Sequence, residues 1–267
     1  MRGVIVRTCF TYARGRCALV IFLTLLLRGV DVFSLIHQNV EKKECSTSLI
    51  IPCHMAHFGY LEDLLKAYES QTVFPDEVVI SLSDTRYLAL SDKSQLLEPS
   101  RPFRVRLIEN PQSCSAAGNR NIASELAVGD ILIYQDADDL PHPRRIEIIK
   151  YYFENFEIDH LMHWYLFESG TFSDFKSLQW FIPISHSPNL GANPAVAIRR
   201  EVFNEIRWPE EIPHGEDCYF NNKVYEKFPN RIVIKFPFYM YRRRSPSPNI
   251  SKPSFYEHYQ YQYTSEF

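Results

Sequence analysis

The sequence predicts an α/β fold with a parallel sheet and helices on both of its faces. Short apolar runs of strand length alternate with segments of helical periodicity, which is the pattern of such a sheet. One run, at 131–135, ends abruptly at three carboxylates, Asp136, Asp138 and Asp139. A buried strand cannot hold unpaired charge, so these acids should lie just past its carboxyl end, where open α/β sheets bind ligands.

The first half of the chain alternates regularly between the two kinds of segment. Leu61, Leu64, Leu65 and Tyr68 have the spacing of an amphipathic helix. Pro143 suits the first turn of another helix. The strands are predicted at 47–52, ended by a proline, and at 77–82, 103–108 and 131–135. The helices are predicted at 60–70, at 116–128 and from near 143 onward.

The second half has a looser order of elements and no visible repeat. Strands are predicted at 159–167, 194–199 and 231–236, and helices at 201–206 and 216–228. The division predicted is a nucleotide-binding half, 45–145, and an acceptor half, 146–245. The remaining residues, 246–267, are rich in Pro, Ser and Tyr and should form an irregular tail.

The segment 1–44 is predicted to be a leader and linker outside the fold. Four arginines precede an apolar run, Cys17 to Leu27, that is too short for a confident transmembrane helix. A cleaved secretory signal fits best. An uncleaved anchor attached to the membrane through 17–36 stays open, as does a buried helix. With the basic residues cytosolic, the body would face the lumen of the secretory pathway or Golgi, anchored or released.

The composition limits the kinds of molecule that the protein can bind. The chain has 267 residues, is 45% hydrophobic and has a net charge of -3, so it is globular without the basic footprint of a nucleic-acid binder. The six cysteines form no CxxC pair and are expected to be unpaired, although Cys53 and Cys114 could pair in a lumenal body. Cys53, His54 and His57 do not have the spacing of a zinc site.

The acidic turn at Asp136, Asp138 and Asp139 predicts a site for a divalent cation and a diphosphate. Hard oxygen ligands suit Mg²⁺ or Mn²⁺, which keep coordination positions open for phosphate. A solvated turn or a helix cap would also explain the acids. An EF-hand would not, because its spacing and its glycine are missing.

Two further segments of the first half have polar residues, one at the end of a strand and one at the start of a helix. Asp84 follows the second strand, where a carboxylate can accept hydrogen bonds from a base or ribose, or can simply form a turn. The small residues of Ser115–Asn121 open a helix, and Arg120 could neutralise phosphate or hold a loop carboxylate.

Two segments of the second half could act on a substrate. Glu216 and Asp217 open a helix, where acids are common because they complement the helix dipole. One of them, facing the metal site, could serve as a general base toward an acceptor hydroxyl. The cations after Tyr241 could stabilise a departing diphosphate, or form a solvated face.

Taken in order, these segments resemble the inverting, family-2-like glycosyltransferases of the GT-A (Rossmann-like) fold over residues 46–245. This resemblance implies a mixed, mainly parallel sheet flanked by helices in a single catalytic domain. The matching segments are Ser48–Pro52, Val78–Ser81 with Asp84, Ala117–Ala123, Asp136–Asp139 with Pro143–Glu147, and Gly215–Asp217. The ordered set is specific, although each element alone is not.

The resemblance implies a role for each matching residue. Asp138 and Asp136 would bind Mn²⁺ or Mg²⁺. Asp217 would be the catalytic base, with Glu216 supporting it. The donor would contact Pro52, Asp84, Asn119, Arg120, Asp136 and Arg244. The acceptor would contact Trp180 and Asn193.

Two positions depart from the family pattern. Gly118-Asn119 stands where the family often has Ala before Arg-Asn, and Arg244 stands where a His often follows. The second departure leaves open whether this segment binds the metal or only the diphosphate.

The predicted function is therefore metal-dependent transfer of a sugar from a nucleotide-sugar donor, UDP being the family's commonest carrier, to a glycan, lipid or protein acceptor. A sugar nucleotidyltransferase is one alternative. It would place a glycine-rich basic loop after the first strand, where this chain has Pro52-Cys53-His54-Met55. A non-catalytic carbohydrate-binding protein on the same fold is the other.

Overall fold

The computed structural model describes residues 43–86, 88–167, 171–172 and 195–242, without the side chains of Asp92 and Lys235. From Glu44 onward the described residues belong to one compact unit. None of the helices in these ranges is long and apolar enough to span a bilayer. The proposed attachment at 17–36 and the tail at 246–267 lie outside the described residues.

Strands and helices alternate through the first half and mix more freely in the second. The strands are β1 Thr47–His54, β2 Glu77–Ser83, β3 Arg104–Asn110, β4 Ile131–Tyr134, β5 Leu140–Pro141, β6 His160–Phe167, β7 Val196–Arg199 and β8 Arg231–Tyr241. The helices are α1 Leu61–Glu69, α2 Leu90–Leu96, α3 Ala116–Leu126, α4 Arg145–Asn155, α5 Arg200–Glu205 and α6 Glu216–Lys227, with a 3₁₀ helix at Met55–Tyr60.

The strands form one eight-stranded sheet in the order β3-β2-β1-β4-β7-β6-β8-β5. Strands β3, β2, β1 and β4 are parallel to one another, and β6 is parallel to β8. Strand β7 is antiparallel to both β4 and β6, and β5 is antiparallel to β8. The predicted mixed, mainly parallel sheet is confirmed.

The central strand β1 shows why its sequence is a continuous apolar run. Leu49 and Ile51 enter a core that they share with α1 and α4, whereas Ile50 enters a second core shared with α3 and α6. A strand covered on both faces has no solvent side, so the usual alternation of apolar and polar residues disappears.

Two predicted strand ends were wrong. Strand β1 continues through Pro52 to His54. It pairs with β4 only as far as Ile50, so Pro52 lies where that side of β1 has no ladder, and a residue without N–H is accommodated there. Strand β8 continues through Pro237 to Tyr241, and Pro237 lies at an irregularity in the pairing with β6.

Three short elements escaped sequence prediction: the 3₁₀ helix, α2 and β5. Strand β5 has only two residues, and α2 is a seven-residue segment with a single buried leucine, Leu96. Neither is long enough to display a period. The 3₁₀ helix bears on the site, because it follows β1 directly at the carboxyl edge of the sheet.

Candidate active site

The acidic turn after β4 is fixed by the end of β8. The Tyr239 hydroxyl donates to Asp139 Oδ2 at 2.7 Å and accepts the backbone N–H of Asp136 at 3.3 Å. The backbone N–H of Arg242 donates to Asp139 Oδ1 at 2.8 Å. Burial, together with the charges of Asp138 and Asp136, raises the pKa of Asp139 well above its usual range. Asp139 is therefore an anchor of the turn, buried within the protein.

Asp138 lies between this anchor and the 3₁₀ helix after β1. Its carboxylate Oδ2 is 3.7 Å from His57 Nδ1, and its side chain is 18% exposed. Arg242 donates from Nε to the Asp138 carbonyl at 2.6 Å, and its guanidinium lies over the Tyr60 ring. Asp138 is thus held at the backbone while its carboxylate reaches the surface of the site.

Arg120 connects the acidic turn to the helix start that carries the Glu-Asp pair. Its side chain is 3% exposed and forms two charged hydrogen bonds, to Asp136 Oδ1 and to Glu216 Oε1, both at 2.9 Å. The two acids of these pairs lie 80 positions apart in the chain and meet on one guanidinium. Of the two roles left open for Arg120, the structure shows the one in which it holds carboxylates.

Arg120 belongs to α3, and the N-terminus of this helix is capped by a side chain. The Ser115 hydroxyl accepts the N–H of Gly118, and the Arg120 guanidinium lies 4.5 Å from the centre of the Trp208 ring. A side chain at Gly118 would meet the Cys114 sulfur at 2.4 Å, which gives this departure from the family pattern a steric reason.

Glu216 and Asp217 begin α6 immediately after Gly215, which has a positive φ of 77°. Asp217 Oδ1 accepts the N–H of Cys218 at 2.8 Å. Burial and the neighbouring charge of Glu216 raise the pKa of Asp217 to about 6. A carboxylate that titrates near neutrality has the basicity expected of a general base.

Asn121 supports the approach to this helix start. Its Oδ1 accepts the backbone N–H of Trp208, and its Nδ2 donates to the Trp208 carbonyl and to the Glu210 carboxylate. The indole of Trp208 stacks on Phe220 of α6 at 4.0 Å. The loop that precedes the Glu-Asp pair is therefore packed against α3.

Asp84 has the one positive φ among the described non-glycine residues, 63°. Its carboxylate accepts from Arg86 at 2.9 Å and lies 3.9 Å from His54 Nε2, at the ends of β2 and β1. Backbone conformations of this kind cluster at functional sites because the surroundings must enforce them.

Asn119 and Pro52 lie deeper than the other predicted donor contacts. The Asn119 amide accepts from Ser81 at 2.9 Å and donates to Ser83 and to the Cys53 carbonyl, so it ties β1, β2 and α3 together. Pro52 is buried within β1. The other predicted contacts, Arg244, Trp180 and Asn193, lie outside the described residues.

Sequence reasoning missed Tyr239 and His57 as parts of this site, and it included Arg242 only as one of the cations after Tyr241. Tyr239 is hidden in an apolar strand, and its only signal is that a buried tyrosine hydroxyl needs a partner. The cysteines Cys45, Cys53, Cys114 and Cys218 are free, as expected for unpaired thiols.

The acidic turn fits a divalent cation by the chemistry of its donors. No group of three or more His, Cys, Asp or Glu side chains suited to a metal occurs within the described ranges. Mg²⁺ and its analogues, however, need only one or two protein carboxylates when phosphates supply the rest. Asp136 and Asp138 both act electrostatically on Asp139, and a cation would relieve this crowding of negative charge.

Comparisons with known proteins agree on one family. The model of the family described as "Glycosyl transferase family 2" matches residues 48–244. An uncharacterized glycosyltransferase of Methanocaldococcus jannaschii is 26% identical over 172 residues, which is 60% of this chain. The match spans 58% of that relative's length.

Solved structures share the fold at low sequence identity. S. aureus TarS in complex with UDP-GlcNAc superposes with a TM-score of 0.62 at 19% identity, over 79% of this chain and 64% of TarS. The mannosyltransferase PcManGT of Pyrobaculum calidifontis, in complex with GDP-Man and Mn²⁺, gives 0.54 at 15% identity, over 86% and 69%. These likenesses confirm the GT-A fold that the sequence resemblance implied.

Proposed function

Because the chain belongs to glycosyl transferase family 2, we propose that it transfers a sugar from a nucleoside-diphosphate donor to an acceptor hydroxyl with inversion at the anomeric carbon. One observation carries the proposal: Arg120 binds Asp136 and Glu216 at once, so the acidic strand end and the Glu-Asp helix start belong to one site. A nucleotide-side carboxylate and a base of raised pKa are the groups that this transfer requires.

In the proposed reaction, Asp217 removes the proton of the acceptor hydroxyl as its oxygen attacks the anomeric carbon. The bond from that carbon to the diphosphate oxygen breaks on the opposite face, and the nucleoside diphosphate leaves with the bonding electrons. Inversion follows from this single displacement. Correct alignment of base, acceptor and donor supplies much of the rate.

On the donor side, the nucleoside would lie over the ends of β1 and β2, against Asp84 and near Pro52, with Asn119 holding the strand ends in place. Asp138 and Asp136 would hold Mn²⁺ or Mg²⁺, which when bound supplies positive charge beside the diphosphate. Arg242 is next to Asp138 and would add to it, as would Arg244. Arg120 then acts as a positioning residue, because both of its partners are carboxylates of the protein.

The choice of a nucleotide sugar as donor is supported only by the similar proteins of known structure. Bound UDP-GlcNAc in TarS and GDP-Man with Mn²⁺ in PcManGT both place a nucleotide sugar on this fold. We propose a UDP-sugar as donor, with a glycan, lipid or protein acceptor that Trp180 and Asn193 help to bind. A location in the secretory pathway, anchored or released, belongs to the same proposal.

The test is a screen of UDP- and GDP-sugars for Mn²⁺-dependent hydrolysis and for transfer to simple glycosides. Wild type should release nucleoside diphosphate. Asp217→Asn should lose about 10²–10⁴-fold of the activity while calorimetry shows unchanged donor binding. The control, Asp63→Asn, removes an exposed carboxylate of α1 and should behave as wild type.

Two results would count against the proposal. With a nucleoside triphosphate and a sugar 1-phosphate as substrates, release of pyrophosphate and formation of a nucleotide sugar would identify a nucleotidyltransferase. Nucleotide-sugar binding without any turnover would identify a carbohydrate-binding protein on the same fold. Near-normal turnover in Asp217→Asn would show that Asp217 is not the catalytic base.

A further inference from the structure

Arg145, the first residue of α4, is a fully buried cation that pairs with none of the carboxylates in the described ranges. Its guanidinium donates to four neutral acceptors instead. These are the Tyr134 carbonyl at 2.8 Å, the Tyr68 hydroxyl at 2.8 Å, Gln135 Oε1 at 3.1 Å and His163 Nε2 at 3.0 Å. Burial, together with the charge of Arg145, lowers the pKa of His163 well below its usual range, so this imidazole is neutral. Because burying a charge without a counter-charge is costly, Arg145 is better explained by what it holds than by a gain in stability.

Gln135, the residue between β4 and the acidic turn, is held by this guanidinium. Its Oε1 accepts from Arg145 and also from the Tyr68 hydroxyl, at 2.8 Å. An arginine can only donate, so the oxygen end of the Gln135 amide must face it. The nitrogen end then faces the turn, where Nε2 donates to the Asp136 carbonyl at 3.0 Å. The same carbonyl accepts the N–H of Asp139 at 3.3 Å, and this bond closes the turn.

The Arg145 guanidinium also contacts the second support of the turn. It lies 5.6 Å from the centre of the Tyr239 ring, whose hydroxyl bonds Asp139 and the N–H of Asp136. It donates as well to the carbonyl of Tyr134, the last residue of β4. One side chain therefore fixes the strand end from which the turn starts, the amide that bonds the turn and the ring that anchors it.

We propose that Arg145 is a positioning residue for the proposed sugar transfer, which holds the acidic turn in the conformation that receives the donor. The inference rests on the proposed function, since that function gives the turn its ligand. Arg145 is buried, so it acts through the turn and does not itself contact substrate. A lysine could not replace it, because a guanidinium donates in several fixed directions whereas an ammonium is a compact point charge.

The experiment compares the flexibility of the turn with the stability of the whole protein. Hydrogen–deuterium exchange of the full chain without ligand reports on the amides of residues 135–140, with those of 77–82 in β2 as an internal reference. Calorimetry of UDP binding in the presence of Mn²⁺ reports on the site. Arg145→Lys should speed exchange in the turn about tenfold relative to the reference and weaken UDP binding about tenfold.

Arg101→Lys is the matched control. The Arg101 side chain is also buried, at 3% exposed, but it binds Glu62 and Glu69 of α1 and the Gln95 carbonyl, none of which belongs to the turn. This variant should lower the midpoint of urea unfolding, as Arg145→Lys does, because both replace a buried guanidinium. It should leave exchange in the turn and the affinity for UDP as they are in wild type.

Gln135→Glu separates positioning from stability. Its carboxylate would give Arg145 a counter-charge, so this variant should be at least as stable as Arg145→Lys. An ionised carboxylate cannot donate to the Asp136 carbonyl, however, so the turn should still exchange faster than in wild type. If Arg145→Lys does not fold, the same exchange measurement on Gln135→Glu decides the assignment.

The outcomes separate this inference from the proposed function. Faster exchange in the turns of Arg145→Lys and Gln135→Glu but not of Arg101→Lys, with weaker UDP binding in Arg145→Lys, would establish the assignment. Equal exchange in the turns of Arg145→Lys and Arg101→Lys, wild-type exchange in Gln135→Glu, or wild-type UDP affinity in Arg145→Lys would overturn it. Exchange needs no ligand, so a wild type that binds no nucleotide would refute the proposed function, whereas the exchange rates would still decide whether Arg145 holds the turn.

Discussion

Asp217 is the residue whose environment predicts the most about activity. Burial and the adjacent Glu216 raise its pKa to about 6, above the usual value of 3.8. A base must be deprotonated to act, so kcat/KM should fall about tenfold per pH unit below pH 6 and level off above it. A pH profile of transfer between about pH 4.5 and 8 checks this, because an exposed carboxylate would give no inflection near 6.

The same pKa has a consequence for stability. Since the folded protein disfavours ionised Asp217, stability is lost as the pH rises from about 4 to 6 and the loss persists above that range. Asp217→Asn should therefore raise the free energy of unfolding by about 1–3 kcal/mol near pH 7.5 and change it little near pH 4. Urea unfolding at the two pH values measures the difference.

The exposed Asp63 again provides the comparison. Asp63→Asn should leave the free energy of unfolding within about 0.5 kcal/mol of wild type at both pH values. A destabilised Asp217→Asn would mean that the carboxylate makes a structural contact stronger than the penalty of its burial.

At the scale of elements, the sequence predicted the sheet because its central strands are covered on both faces. Runs such as 131–135 must be apolar to be buried, and acids that follow them must lie at the edge. The position of these acids can therefore be predicted from the sequence. The sequence also indicated that Arg120 could hold a loop carboxylate, but it did not show which carboxylates, because the contacts of Arg120 depend on how α3 packs. The 3₁₀ helix that carries His57 has no period to detect.

Close packing between elements makes one glycine indispensable. Gly129 precedes β4, and a Cβ there would lie 2.7 Å from the backbone of Thr47 and Ser48 in β1. Gly129→Ala should lower the free energy of unfolding by about 1–3 kcal/mol or more, because backbone cannot move aside as a side chain can. Gly59, with nothing within 4 Å of its Cβ position, is the control, and Gly59→Ala should stay within about 1 kcal/mol of wild type.

The contact between β8 and the acidic turn can be tested by removing the hydroxyl oxygen of Tyr239. Tyr239→Phe removes the donor to Oδ2 of buried Asp139, leaving only the Arg242 N–H on Oδ1, and leaves the Asp136 N–H without its acceptor. The expected cost is about 1–3 kcal/mol in unfolding, together with weaker Mn²⁺ binding, because the turn loses its anchor. Tyr225→Phe, which removes a half-exposed hydroxyl from α6, should change neither quantity, and equal losses in both variants would refute the anchor.

At the scale of the whole molecule, the two halves of the chain meet in the sheet where β4 pairs with β7 and β5 with β8. They also meet in the site, where Tyr239 and Arg242 hold the acidic turn and where α3 meets the start of α6 through the buried Arg120 guanidinium. The predicted division near residue 145 stays a prediction, but the structure shows what any relative movement of the halves would have to break. Arg120 pairs a carboxylate from each half, so the acidic turn and the start of α6 are coupled through it.

Replacing Arg120 should consequently damage the fold and the site together. Arg120→Met leaves Asp136 and Glu216 partly buried and unpaired, so the free energy of unfolding should fall by about 3–5 kcal/mol. Adding Glu216→Gln to this variant should restore part of the loss, because it removes one uncompensated charge. Arg207→Met is the matched control: its ion pair with Glu125 is about half exposed, and removing it should cost at most about 1 kcal/mol. If Arg120→Met unfolded with wild-type stability, or if Glu216→Gln made it less stable still, the guanidinium could not be what holds the start of α6 against the acidic turn.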